Sequence, residues 1–137
     1  MNPIFLDASA IIYLLEGEPT IQQTTREVLT TLASDSDDPA LVISALSLLE
    51  CRFHPMRSGD ETRLGKFNQF FSDPGLTIIE LDSRVIEQAT RLRAAHGLKT
   101  PDALQAASAL QLPQPTAFVT GDGDFSKIED LIVHQIT

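Results

Sequence analysis

The sequence is poor in cysteine, in histidine and in cationic side chains, and each shortage closes a class of answers. The single Cys51 excludes an internal disulfide, and with His54, His96 and His134 it forms none of the Cys/His spacings of a zinc site. Cys51 therefore reads as a small buried apolar residue in a reducing compartment. No stretch approaches the roughly 20 apolar residues of a membrane span, and the N-terminal apolar run has no basic region before it and carries Asp7 inside it. A soluble, cytoplasmic protein is expected. Lys and Arg number 10 against 19 Asp and Glu, a formal charge of −9, which argues against broad, sequence-independent phosphate binding. The same acidity is compatible with a nuclease, whose clustered acids hold cations that offset the charge where nucleic acid approaches, and it favours a basic protein partner. Repeats, linkers and low-complexity segments are missing too, so residues 1–137 read as one domain with one core.

What is present begins with Ile4-Phe5-Leu6-Asp7, an apolar burst that ends at an acid, followed at once by a helical pattern through Leu15 with Ser9 available as its N-cap. Gly17-Glu18-Pro19 breaks that helix, and an amphipathic one follows from Thr20 through Leu32. Ala40 to Ile43 is a compact strand. Ser44 is placed to cap a third helix, which Pro55 is expected to stop at about Phe53. Another helix opens at Ser58-Gly59-Asp60. After the turn Asp73-Pro74-Gly75 come a strand from Leu76 to Leu81, a helix capped by Asp82 and ending at Gly97, and an Ala-rich helix restarted by Thr100-Pro101-Asp102. Ala117 to Thr120 forms a fourth strand, Gly121 to Asp124 a tight loop, and Leu131 to Ile136 a closing strand. This alternation predicts an α/β fold, a mostly parallel central sheet of about five strands with helices on both faces.

Asp7 alone reads as a helix cap. It is not alone. Asp122 and Asp124 follow a strand in the same way, Asp102 opens a helix, and Glu50 lies on a helix face shared with Leu46 and Phe53. In a parallel sheet, the ends of strands and the starts of following helices meet at one crevice. Carboxylates held ~4 Å apart repel by a few kcal/mol per pair, so a cluster of this kind calls for hard divalent cations. Oxygen-only ligands select Mg²⁺ or Mn²⁺, and the chemistry that uses this arrangement is phosphodiester hydrolysis.

Four pieces, Phe5-Leu6-Asp7-Ala8-Ser9, Ile43 to Glu50, Leu98 to Ala107 and Val119 to Phe125, resemble the ordered motifs of PIN-domain ribonucleases over nearly the whole chain. Their order and spacing are similar to those of a compact bacterial member, the VapC-like toxin of a toxin–antitoxin pair. The resemblance implies a PIN-like fold and a Mg²⁺-dependent endoribonuclease acting on RNA. It implies Asp7, Glu50, Asp102 and Asp122 as catalytic, metal-binding acids, Asp124 as an additional acid, and Ser9 and Thr120 as supporting hydroxyls. It also implies a homodimer and a small antitoxin wrapped around the first helices and the acidic cleft, where Tyr13, Leu14 and Leu15 would contribute to a groove. Arg52 and Arg93 are candidates for steering RNA. The chain departs from the family pattern in the glycines Gly121 and Gly123 around Asp122, which leaves open whether Asp122 or Asp124 is the metal ligand.

Two other readings compete. A haloacid-dehalogenase-like phosphohydrolase also begins with a strand ending in Asp, but its motif wants a second Asp where this chain has Ser9, and Glu50 would have no role. A non-catalytic module that binds RNA or an antitoxin would gain nothing from a repulsive acid cluster.

Overall fold

The computed structural model describes residues 2–136. Five short strands form the sheet: β1 (Asn2–Leu6), β2 (Pro39–Ser44), β3 (Leu76–Ile79), β4 (Thr116–Thr120) and β5 (Leu131–Gln135). Their order is β3-β2-β1-β4-β5, and all four pairings are parallel. The strands alternate with α1 (Ala8–Glu16), α2 (Pro19–Ser34), α3 (Leu46–Ser58), α4 (Glu61–Phe71), α5 (Ser83–His96) and α6 (Thr100–Ala109).

The strand period of two sorts side chains to the two faces of this sheet. Phe5, Val42 and Phe118 pack on Val85, Ala89 and Leu92 of α5 and on Ala103, Ala106 and Ala107 of α6. Their neighbours in sequence, Ile4, Leu6, Ile43 and Val119, face the other way, onto Ala10 and Ile11 of α1, Cys51 of α3 and Phe67 of α4. The expectation of helices on both faces is met. Phe5 and Phe118 stack at 5.3 Å across β1 and β4, and Phe118 meets Phe125 at 4.6 Å. Burying each ring contributes about 1.5–3 kcal/mol, so this aromatic line ties the loop after β4 to the sheet centre.

Several boundaries differ from the sequence reading. Helix α3 runs through Pro55 to Ser58 instead of stopping at Phe53. Pro55 is buried there, and the last turn closes on Gly59, whose φ of 71° is left-handed, with the Asp60 amide donating to the Pro55 carbonyl. Pro55 forgoes one backbone bond, and that closure satisfies carbonyls at the end of the helix. Lys99, not Thr100, is the cap residue of α6, and β3 ends at Ile79. The loop after β4 is a 3₁₀ helix, Gly123–Lys127, capped by the Asp122 side chain. Among the described residues no helix is long and apolar enough to cross a membrane.

Candidate functional site

β1 sits at the centre of the sheet, where the connections leave for opposite faces; ligands bind outside strand carboxyl ends at such a switch point. Asp7 is the first residue past β1 and is 4% exposed. It, and not Ser9, caps α1: Asp7 Oδ1 accepts the Ala10 backbone amide at 2.9 Å and the Ser9 hydroxyl at 2.6 Å. The cap moved two residues because Asp7 already has extended backbone and a side chain in reach of the first free amides. Thr120, at the end of neighbouring β4, donates from Oγ1 to Asp7 Oδ2 at 2.5 Å. The hydroxyls also order the facing loop, since the Gly121 amide donates to Ser9 Oγ at 2.8 Å and the Asp122 amide to Thr120 Oγ1 at 2.9 Å. Burial, opposed by these hydrogen bonds and reinforced by the charge of Asp122, raises the Asp7 pKa.

Across from this corner, one carboxylate oxygen from each of Asp102, Asp122 and Asp124 lies within 4.8 Å of the others. Asp102 is half-buried in the first turn of α6, whereas Asp124 is exposed. The Asp102 pKa is pushed up to about 6, first by burial and then by the charges of Asp122, Asp124, Asp7 and Glu50. The other four predicted acids thus all act on the Asp102 carboxyl group. Among the described residues, the ion pairs of Arg63, Arg84 and Arg91 go to other acids and not to this cluster. An all-oxygen donor set under mutual repulsion fits a hard divalent ion, and both Asp122 and Asp124 belong to the tightest group.

Glu50 reaches the crevice from α3, which packs on α1 and α6. Its Oε1 accepts a hydrogen bond from Nε2 of Gln105 at 3.0 Å, and the same nitrogen donates to Ser47 Oγ at 3.0 Å. Gln105 went unnoticed in the sequence; the available signal was a lone amide three residues after Asp102 on an otherwise smooth Ala-rich helix. Tyr13 is half-buried, and its ring covers Gly121 so closely that a Cβ there would fall 2.3 Å from Cε2. The glycine at 121 is the space taken by that ring. The two arginines considered for RNA steering have local partners: Arg93 Nε donates to the Leu98 carbonyl at 2.8 Å, and Arg52 donates to the Leu48 carbonyl and the Asn68 side chain. Burial raises the Cys51 thiol to about 12, as befits an inert core residue.

No curated protein matches the sequence significantly. Solved structures of similar fold include VapBC2 from Rickettsia felis bound to a promoter DNA fragment, at 21% identity and TM-score 0.76 over 97% of this chain and 98% of that one. VapC20 of Mycobacterium tuberculosis, a sarcin-ricin-loop-cleaving toxin, aligns at 20% identity and TM-score 0.69 over 93% and 95% of the two chains. FitAcB from Neisseria gonorrhoeae aligns at 18% identity and TM-score 0.69 over 97% of each. At such identities the likeness is one of fold. The sequence model of the PIN domain matches residues 4–131, from the first strand to the last, and this chain belongs to the PIN-domain family.

Proposed function

We propose that the chain is a divalent-metal-dependent endoribonuclease and acts as the toxin of a toxin–antitoxin pair. The observation that carries this reading is the acid cluster in which Asp102, Asp122 and Asp124 bring carboxylate oxygens within 4.8 Å of one another, with Asp7 and Glu50 near enough to raise Asp102. Asp7, Glu50, Asp102, Asp122 and Asp124 would hold Mg²⁺ or Mn²⁺. When bound, the ion supplies Lewis-acid polarisation of a phosphoryl oxygen and an acidified water for attack on the phosphodiester. A carboxylate has roughly four lone-pair positions, and three bonds from Ser9, Ala10 and Thr120 occupy Asp7, leaving capacity for a cation. Ser9 and Thr120 keep that carboxylate in one rotamer, and Glu50 faces the same space from α3. The half-buried Asp102, raised by its acidic neighbours in the metal-free site, would be held ionised by the bound cation.

The toxin assignment draws support from the fold shared with VapBC2, VapC20 and FitAcB, of which VapC20 cleaves the sarcin-ricin loop. An apolar groove on α3 beside Glu50, lined by Ala45, Leu48, Leu49, Arg52, Phe53 and Met56, with Leu49 and Met56 largely exposed, supports a protein partner, a small antitoxin or a second copy.

The purified chain should cut single-stranded RNA with Mg²⁺ or Mn²⁺ and stop in excess EDTA. Full cleavage in EDTA would sink the reading. Induced expression in bacteria should arrest growth, and co-expression of the cognate antitoxin should relieve it; an active nuclease without arrest would remove the toxin assignment alone.

A further inference from the structure

We propose that Gln105 is a positioning residue of the acid crevice, holding the Glu50 carboxylate of α3 in register with Asp102 of α6 for the divalent cation; this rests on the metal-site reading above.

Gln105 lies three residues after Asp102, so the two share one face of α6. Ser47 and Glu50 are likewise three apart on α3. The single amide nitrogen donates one N–H to each, both at 3.0 Å, and so clamps two successive turns of the opposite helix. Both donors are used. The reversed amide would set its oxygen against the Glu50 carboxylate, acceptor on acceptor, so an anionic Glu50 selects the observed orientation.

The other end of the amide is the telling part. Gln105 is 3% exposed, and its Oε1 is buried with no hydrogen-bond partner among the described residues. A side chain kept for packing would not carry that penalty, because Met or Leu fills similar space beside the buried Ala103, Ala106 and Ala107 without a polar atom. What Gln105 does that Met cannot is hold an acid. Asp7 has Ser9 and Thr120 as its restraints; Glu50 has Gln105. Partners that orient coordinating carboxylates raise affinity because the donors are arranged before the ion arrives.

The test is calorimetric titration of the metal-free full chain with MnCl₂, with thermal melts of the same samples in EDTA. Gln105→Met should weaken Mn²⁺ binding about tenfold or more. Its melting midpoint in EDTA should move little, since removal of the orphaned acceptor offsets the loss of the bonds to Ser47 and Glu50. Ser47→Ala, which removes one anchor of the amide, should weaken binding less, and it decides the matter if Gln105→Met does not fold. In RNA cleavage the Mn²⁺ concentration for half-maximal rate should rise by the same factor, with saturating Mn²⁺ restoring most of the rate. Wild-type Mn²⁺ affinity in Gln105→Met overturns the proposal, whatever its midpoint, while loss of binding in Asp102→Asn alone leaves the metal site standing. Absence of Mn²⁺ binding by the unaltered chain overturns both.

Discussion

The two walls of the crevice are built on opposite plans. On one, Asp7 is buried and tied by three hydrogen bonds from Ser9, Ala10 and Thr120. On the other, Asp102, Asp122 and Asp124 crowd one another in partly open space. The first wall is finished by the protein. The second is strained by its own charge and would be completed by a cation. A site can therefore be rigid where it must aim a ligand and repulsive where it must attract one.

The largest effect that separates the walls comes from Asp7→Asn and Asp102→Asn. Both should lower RNA cleavage by about a hundredfold to a thousandfold or more. Their melting behaviour in EDTA should diverge. Asp7→Asn disturbs buried hydrogen bonds and should cost about 1–3 kcal/mol, whereas Asp102→Asn relieves repulsion and should melt at or above the wild-type midpoint. Equal shifts in the two variants would erase the distinction.

Next in size is a pH effect. Asp102 titrates near 6 in the folded chain against an ordinary value of 3.8, so between these values the folded state holds the extra proton. Its contribution favours folding below about pH 4, is lost as pH rises through 6, and is level above. Melting midpoints of the metal-free chain between pH 4 and 7 should fall more steeply for wild type than for Asp102→Asn, and saturating Mg²⁺ should flatten the wild-type curve. Parallel curves for the two chains would remove Asp102 from the strained wall.

Thr120→Val should have a smaller effect, about a ten- to hundredfold loss of activity or metal affinity, because it removes the hydroxyl shared between Asp7 Oδ2 and the Asp122 amide. An unchanged metal titration would mean that Asp7 holds its rotamer without help. The mildest change is expected for the exposed Asp124→Asn, less than about tenfold. A loss as deep as that of Asp102→Asn would shift the centre of the site toward solvent.

Much of this arrangement was legible because strands and acids announce themselves locally. Ile4-Phe5-Leu6 before Asp7 and Phe118-Val119-Thr120 before Asp122 state both the strand and its carboxyl end, and Asp82 and Gly97 mark the ends of α5. Where two local signals were nearly equal, tertiary context decided. Asp7 and Ser9 are both good caps, and the neighbouring Thr120 made Asp7 the anchor and Ser9 its donor. Pro55 predicts a stop, but its burial and the Gly59 closure carried α3 onward. Arg93 resembled a free cation until the chain turned its Leu98 carbonyl toward it. Gln105 was invisible for a deeper reason: its meaning lies in Ser47 and Glu50, more than fifty residues away in sequence.

The contact between Tyr13 and Gly121 has an optical consequence. The chain contains one tyrosine and no tryptophan, so light absorbed beyond the band of its seven phenylalanines is emitted from a single ring, and that ring rests on the loop that carries Asp122. The tyrosine fluorescence of the unlabelled protein, excited selectively, is thus a local gauge of the crevice. A closed-shell ion such as Mg²⁺, which neither absorbs nor quenches, would alter the brightness of Tyr13 only by changing the charge and posture of that loop.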